Sequence, residues 1–287
     1  MLVAVMVAVV LAVIVTANAG LTAGCVNRAK VTRILTNRSA FSTRVSEIIP
    51  YLGAITAVLL INKGLQDAAA GFARTYGFDA TALFYAIEGD FVAWFQSLFP
   101  EVANLYFGTI YVFGYAILLS FPLLGYLFAE SAEPYKVTVT SYAVNYAVAI
   151  PLYAGVLAYG PRVYSAEVSH GLLELFPEIT GLLALANSAE NVFPSLHTSM
   201  ALTVLLIAVQ THSEFPRWTP IAAFLSLNIV VSTMALGIHW LVDVVAGVLL
   251  AWISVTVANH YVSWRQQSTS TSPSAGRSPT RSDSEGD

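Results

Sequence analysis

The sequence is 287 residues long, 56% hydrophobic and only 10% charged, with a formal net charge of −4. Because soluble domains carry roughly 25% charged residues, this chain lacks the polar surface needed to cover a water-soluble globule, and its composition predicts a membrane protein. The mild negative charge argues against a nucleic-acid partner, and the single cysteine, Cys25, excludes an internal disulfide and a multi-cysteine metal site.

Seven segments are apolar enough to cross a membrane, which takes about 20 mostly apolar residues in a helix. The first ends in small residues, as a secretory signal does, but it lacks the leading positive charge of a signal, so we interpret it as a first span. The second contains Pro50, and the fifth is short. We therefore predict an all-α polytopic membrane bundle of about seven transmembrane helices. The segments are 2–21, 46–62, 103–128, 138–159, 198–211, 219–237 and 240–261.

The distribution of lysine and arginine orients these predicted spans. Residues 22–45 contain five basic residues and no acid, which is typical of a cytoplasmic loop and places the N-terminus outside. Ten of the 13 basic residues then fall on the cytoplasmic side, whereas the outer loops are rich in acids. The aromatic outer segment 63–100 is predicted to form either helices on the membrane surface or a lid packed on the protein.

The chain divides into three predicted parts. Residues 1–45 form an N-terminal transmembrane helix and a basic cytoplasmic loop, and residues 46–264 form the main membrane domain. Residues 265–287 are rich in serine, threonine, proline and glycine without an apolar pattern. This composition predicts a disordered cytoplasmic tail.

Two histidines stand in informative contexts at the predicted outer ends of spans. Ser195 follows a proline and is able to cap a helix, so His197 would lie at a helix N-terminus, where backbone N–H groups favour an anion. His239 and Asp243 are four residues apart and would share one helix face. Asp243 lies within an apolar span, where a carboxylate is a functional candidate by default. The alternative for this pair is a purely structural hydrogen bond.

These residues resemble the type 2 phosphatidic acid phosphatase superfamily, which also includes vanadium haloperoxidases and has the pattern K-x6-R-P, P-S-G-H and S-R-x5-H-x3-D. The second part is present as Pro-Ser-Leu-His at residues 194–197. The third is present as Ser-Thr at residues 232–233, followed by His239 and Asp243 at the family spacing. The resemblance covers roughly residues 103–261, with its core motifs in residues 160–250, and implies a six-helix phosphatase-like core.

The chain departs from the family pattern at two positions and lacks most of the first motif. Leu196 replaces a glycine and Thr233 an arginine, and both changes are similar to the branch that contains fungal inositol phosphorylceramide synthases. That branch is inositolphosphotransferase-like, because it moves a phospho-headgroup between lipids. Arg162 is the nearest candidate for the arginine of the first motif, and no lysine stands at the expected spacing.

The resemblance also implies roles for individual residues. His239 would attack phosphorus and form a phosphohistidine, Asp243 would orient it, and His197 would protonate the leaving alcohol and then activate the acceptor. Backbone N–H groups and four side chains would hold the phosphoryl oxygens, although two of the hydroxyls could instead serve only a helix turn. The four side chains are those of Arg162, Ser195, Ser232 and Thr233. Family members need no metal, so no metal and no cofactor are expected.

The leading functional hypothesis is a membrane enzyme that acts on a lipid phosphate at the outer membrane face. It would be a phosphatase with water as acceptor and a transferase with an alcohol. A non-catalytic membrane scaffold or transporter that retains the fold is the alternative, favoured by the loss of cationic phosphate ligands. A metal-dependent hydrolase is a third hypothesis, but only two or three candidate His and Asp ligands converge, which is few for a catalytic metal site. The expected partners are a lipid phosphate substrate and membrane lipids.

Overall fold

The computed structural model describes residues 2–170 and 191–270, and these residues form helices almost throughout. The first helices are α1 (Leu2–Cys25), α2 (Arg28–Thr36), α3 (Arg38–Tyr76), α4 (Thr81–Glu88), α5 (Phe91–Ser97) and α6 (Ala103–Thr109). The later ones are α7 (Tyr115–Gly125), α8 (Glu133–Gly155), α9 (Pro161–Tyr164), α10 (Leu196–Gln210), α11 (Trp218–Ala235) and α12 (Leu241–Ser270). A π-helical turn (Ile110–Gly114) joins α6 to α7, and a 3-10 turn (Tyr126–Phe128) follows α7.

The helices confirm the predicted all-α polytopic bundle. Five stretches in the described ranges are long and apolar enough to cross a membrane. They are Val7–Cys25, Arg38–Leu65, Ala103–Phe128, Trp218–Ala235 and Leu241–Ser268. The short predicted span 198–211 corresponds to the shorter apolar helix α10, and the predicted span 138–159 corresponds to α8.

The centre of the bundle is formed by α7, α8, α10, α11 and α12. Leu118, Phe121 and Trp218 are completely buried there, and Met200 is nearly so. Large apolar residues on the outside are strongly exposed, such as Leu60 on α3 at 66%. A water-soluble protein would not leave this surface bare, whereas lipid tails cover it without cost.

Helices extend further than the sequence predicted in three places. The predicted basic loop 22–45 is mostly helical, because Asn27 accepts a hydrogen bond from the N–H of Ala29 and Asn37 accepts one from Ala40, so each begins a helix. Helix α3 continues through Pro50 to Tyr76. A proline removes one helical donor, but α3 packs along α8, and Ile48 and Ile55 on either side of the proline are buried in the main core.

The C-terminal helix also passes the predicted start of the tail. Helix α12 runs to Ser270, so residues 265–270 are helical where disorder was predicted. These residues continue the register of a long apolar helix, which extends the last turns at little cost because nucleation has already occurred. The rest of the predicted tail, 271–287, lies outside the described residues.

A small layer of structure closes one end of the bundle. Strands β1 (Phe78–Asp79) and β2 (Val156–Leu157) pair in parallel, and α4 and α5 follow β1. Phe84, Val92 and Trp240 share a small apolar core there. The amide of Gln96 donates to the carbonyls of Ser169 and Ala235 at 3.2 and 3.1 Å. This packing favours a lid over helices that lie on the membrane.

Candidate active site

The chain reverses direction between α11 and α12 through a left-handed glycine, and this turn presents His239. Gly237 has φ +64°, a region that glycine enters without the penalty of a Cβ. Its N–H donates to Met234 at 2.9 Å, and the N–H of Ile238 donates to Thr233 at 2.9 Å, which is the Schellman ending of a helix. The N–H of His239 also donates to the carbonyl of Thr233. We call residues 236–240 the His239 loop.

His239 and Asp243 lie together at the start of α12. The imidazole Nδ1 is 3.3 Å from the carboxylate Oδ2 of Asp243, which also accepts the N–H of Trp240 at 2.9 Å. Helix α12 begins at Leu241, so His239 lies just before it and Asp243 in its first turn, rather than both within the helix as predicted. The left-handed turn at Gly237 displaces His239 from the helix, yet the spacing of four residues still brings the pair together.

His197 is held at the first turn of α10. Ser195 caps this helix, because its Oγ accepts the N–H of Thr198 at 3.3 Å and donates to Thr198 Oγ1 at 3.1 Å. The backbone N–H of Ser195 donates to the carbonyl of Asp243 at 3.1 Å. This bond ties the start of α10 to the start of α12, so the segments that carry His197 and His239 are directly joined.

The two histidine rings lie close to one another. Their centroids are 6.4 Å apart, with an angle of 51° between the planes. His197 lies between two tyrosines, with a centroid distance of 4.4 Å to both Tyr111 and Tyr115. The hydroxyl of Tyr111 is 3.3 Å from His197 Nδ1, which leaves Nε2 of His197 as the nitrogen without this contact.

Nε2 of His239 makes no hydrogen bond within the described ranges, although it is buried, and neither does Oδ1 of Asp243. Burial lowers the pKa of His239, and the positive charge of Arg162 lowers it further, whereas the backbone of Val192 raises it. His239 is therefore neutral near pH 7. The Asp243 contact favours a proton on Nδ1, which leaves the lone pair on Nε2.

Arg162 lies beside the same loop. It belongs to the short helix α9, and its backbone N–H donates to the carbonyl of Gly237 at 3.0 Å. Its side chain is half-buried, and burial lowers the pKa of its guanidinium, a shift that Tyr111 opposes. Arg162 is thus a cation near both His239 and Tyr111.

Three predicted substrate-binding hydroxyls have donor bonds elsewhere. Ser195 donates to Thr198 as part of its cap. The hydroxyl of Ser232 donates to the carbonyl of Ile229 at 2.8 Å, and that of Thr233 donates to Val230 at 2.7 Å, both within α11. The arrangement favours the helix-turn role for Ser232 and Thr233 that the sequence left open, and their contact with a substrate stays a prediction.

Sequence reasoning missed three residues at this site, namely Tyr111, Tyr115 and Glu88. The two tyrosines are four residues apart in an apolar span, and that spacing is a usable signal because it places them on one helix face. They lie in and beside a π-helical turn, an irregularity frequent at functional sites. Glu88 comes from α4, and its carboxylate accepts hydrogen bonds from the backbone of α12. Nothing in its local sequence announces that contact.

Comparisons with known proteins identify the family of the chain. The PAP2 superfamily model matches residues 82–257, a range that contains His197, Arg162, His239 and Asp243. An uncharacterized protein of Methanocaldococcus jannaschii is 26% identical over 165 residues, which is 57% of this chain and 64% of that protein, so the match covers less than two thirds of the relative. No solved structure matches the chain significantly. Since the family model covers more than half of its length, the chain belongs to the PAP2 superfamily.

Proposed function

We propose that this protein is a membrane-embedded phosphatase or phosphotransferase that acts on the phosphate ester of a lipid through a phosphohistidine at His239. Membership of the superfamily supports the phosphatase-like part of this function. The observation that carries the residue roles is the pair of neighbouring imidazoles, 6.4 Å between centroids, with Asp243 at Nδ1 of His239. A phosphoryl group between the rings would meet a nucleophile on one side and an acid on the other.

The first half of the reaction forms the covalent intermediate. The lone pair of His239 Nε2 attacks phosphorus, the bond from phosphorus to the leaving oxygen breaks, and protonated His197 gives its proton to that oxygen. The imidazole becomes positively charged as the N–P bond forms. Asp243 stabilises this charge because its carboxylate is fully buried and accepts from Nδ1.

The second half returns the enzyme to its starting state. Water or an alcohol attacks phosphorus, neutral His197 takes the proton of the attacking hydroxyl, and the N–P bond breaks to release neutral His239. Arg162 would hold the phosphoryl oxygens, since it is the guanidinium next to the His239 loop. The hydroxyl of Tyr111 would fix the ring of His197 from its other nitrogen.

The site is proposed to lie on the extracytoplasmic side. Contacts at the opposite end of the bundle join basic residues to loops, such as Lys30 to Glu214 at 2.7 Å and Arg44 to the carbonyl of Ala129 at 2.9 Å. Loops enriched in lysine and arginine are typically cytoplasmic. The His239 loop lies at the other end, beside the acidic segment that holds Glu88.

Transfer to an alcohol is the finer part of the proposal. Leu196 and Thr233 are similar to the inositolphosphotransferase-like branch, and a site with one adjacent arginine binds the phosphoryl group through few cations. If the acceptor is a second lipid or a polyol, the same His197 would activate its hydroxyl. Water and alcohol acceptors are therefore compared directly in the test.

The test measures phosphate release from phosphatidic acid in detergent micelles, with a chelator present. It is repeated with a polyol acceptor added, and the polyol phosphate that forms is measured beside the free phosphate. We expect activity in the wild type and its loss in His239→Ala. His212→Ala is the matched control, because that imidazole contacts Thr219 at the other end of α10. Labelled phosphate trapped on the His239 peptide after quenching in base would identify the intermediate.

Each other outcome points elsewhere. Wild-type activity in His239→Ala would exclude this nucleophile. Activity lost to the chelator would favour a metal-dependent hydrolase; among the described residues, no group of three His, Cys, Asp or Glu side chains is arranged to hold a metal ion. Absence of turnover with all lipid phosphates and pyrophosphates would favour the non-catalytic scaffold or transporter.

A further inference from the structure

The first residues of α12 need hydrogen-bond acceptors that the residue at their N-cap position does not supply. The first backbone N–H groups of any helix have no partner within it, and Ser, Thr, Asp or Asn usually provides one from the N-cap position. Here Trp240 occupies that position, because the helix begins at Leu241. Its indole N–H is only a donor, bound to the carbonyl of Tyr159 at 2.9 Å, so the side chain offers no acceptor to cap the helix.

Two carboxylates take the place of the missing cap. Asp243 reaches back to the N–H of Trp240, as the N3 residue of a capping box does. Glu88 of α4 accepts the next two, from Leu241 at 2.8 Å and from Val242 at 2.5 Å, with one carboxylate oxygen for each. Negative charge at this end of a helix is also favoured by the helix dipole.

Every backbone N–H from residue 237 to residue 242 therefore has a defined acceptor. Those of residues 237–239 are bound by carbonyls of α11, and that of residue 240 by Asp243. Those of residues 241 and 242 are bound by Glu88, 153 and 154 positions away in the chain. Glu88 is thus the acceptor that fastens this stretch from outside α11 and α12.

We propose that Glu88 is a positioning residue of the active site, which holds the start of α12 and so fixes His239 and Asp243 in the orientation needed for attack on phosphorus. The proposal rests on the proposed function of the same site. Misplacing a nucleophile by about 1 Å can reduce a rate by about 100-fold. A carboxylate that fastens two of the three residues between His239 and Asp243 is well placed to prevent such a shift.

The environment of Glu88 agrees with this role. Burial raises the pKa of its carboxyl, the two backbone donors oppose the shift because they stabilise the ionised form, and the charge of Asp243 adds to it. Phe91 and Leu241 lie with Glu88 along an apolar groove of about 520 Å³. A half-buried charge in such surroundings is costly, and the two hydrogen bonds to α12 offset that cost.

The experiment compares Glu88→Ala, Glu88→Gln and the control Glu101→Gln in the full-length protein in detergent. Glu101 is an exposed acid between α5 and α6. We expect Glu88→Ala to lower kcat for phosphatidic acid by about 10- to 100-fold with KM nearly unchanged. Glu88→Gln should lose less, because its side-chain oxygen still accepts one of the two bonds, and Glu101→Gln should match the wild type.

Amide hydrogen exchange without substrate provides a second readout that does not depend on activity. The amides of residues 241 and 242 should exchange faster than in the wild type in both Glu88 variants, while the rest of the bundle keeps its protection. In Glu101→Gln their exchange rates should equal those of the wild type. Wild-type kcat in Glu88→Ala would overturn the proposal, whether or not local exchange changes. Faster exchange throughout the bundle would also overturn it, because that result indicates general destabilisation. If the wild type neither releases phosphate nor transfers it to an alcohol, the proposed function fails, and local exchange alone then decides whether Glu88 fastens this backbone.

Discussion

Replacement of Gly237 by alanine tests whether the left-handed turn sets the geometry of the site. The residue has φ +64°, and a Cβ at this position would lie 2.7 Å from Val168 Cγ1, 3.0 Å from the carbonyl oxygen of Ser169 and 3.1 Å from Arg162 Cβ. Two of these atoms belong to the backbone or to the first carbon of a side chain. They cannot move away without shifting the segment that carries Arg162.

The cost has two parts. A non-glycine residue in the left-handed region costs about 1–2 kcal/mol, and forcing extra volume into a packed region costs about 1–3 kcal/mol. We therefore expect Gly237→Ala to reduce the free energy of unfolding by about 2–5 kcal/mol. Because His239 is two residues away and the displaced atoms include Cβ of Arg162, kcat/KM should fall by about 100-fold.

The assay is thermal unfolding in detergent together with phosphate release from phosphatidic acid. Gly53→Ala is the matched control, since a Cβ at that position in α3 has no atom within 4 Å, and alanine is a better helix former by about 1 kcal/mol. Gly237→Ala with the stability and activity of the wild type would refute the reasoning, because the turn would then tolerate a side chain.

Three further changes test other contacts of the site. Tyr111→Phe removes the hydroxyl at His197 but keeps the ring stacking. The value of kcat should fall about 3- to 10-fold, as expected for one hydrogen bond of about 1 kcal/mol, while the unfolding midpoint stays the same. An unchanged kcat would show that the hydroxyl is dispensable. In Gly247→Ala, the new Cβ would lie 2.7 Å from the carbonyl oxygen of Ser195, so α10 and α12 should separate and the free energy of unfolding should drop by about 1–3 kcal/mol. Thermal unfolding measures this loss, and a midpoint equal to that of the wild type would contradict it. Burial lowers the pKa of His239, so at low pH the unfolded chain binds a proton that the folded chain does not, and stability should fall as the pH drops below about 6.5. His239→Gln should flatten this pH dependence in unfolding measurements between pH 8 and pH 5. An equally steep dependence in the variant would assign it to other groups.

The local sequence was sufficient for the features that depend on short spacing. Apolar runs predicted the membrane-spanning helices because a helix in lipid satisfies its backbone hydrogen bonds internally and needs apolar side chains along its length. The spacing of four residues between His239 and Asp243 predicted their contact, which the structure contains at 3.3 Å. The cap at Ser195 followed from its place before an apolar helix.

Only the tertiary structure decided what comes to the site from elsewhere in the chain. Tyr111 reaches His197 across 86 positions, and Glu88 reaches Leu241 across 153. Such contacts depend on how helices pack, and packing is set by the complementary shapes of side chains on several helices at once, which no short window of sequence contains. For the same reason the hydroxyls of Ser232 and Thr233 could not be assigned in advance, since a hydroxyl on a helix can turn towards a neighbour or back to its own carbonyls, and the surrounding packing selects between them.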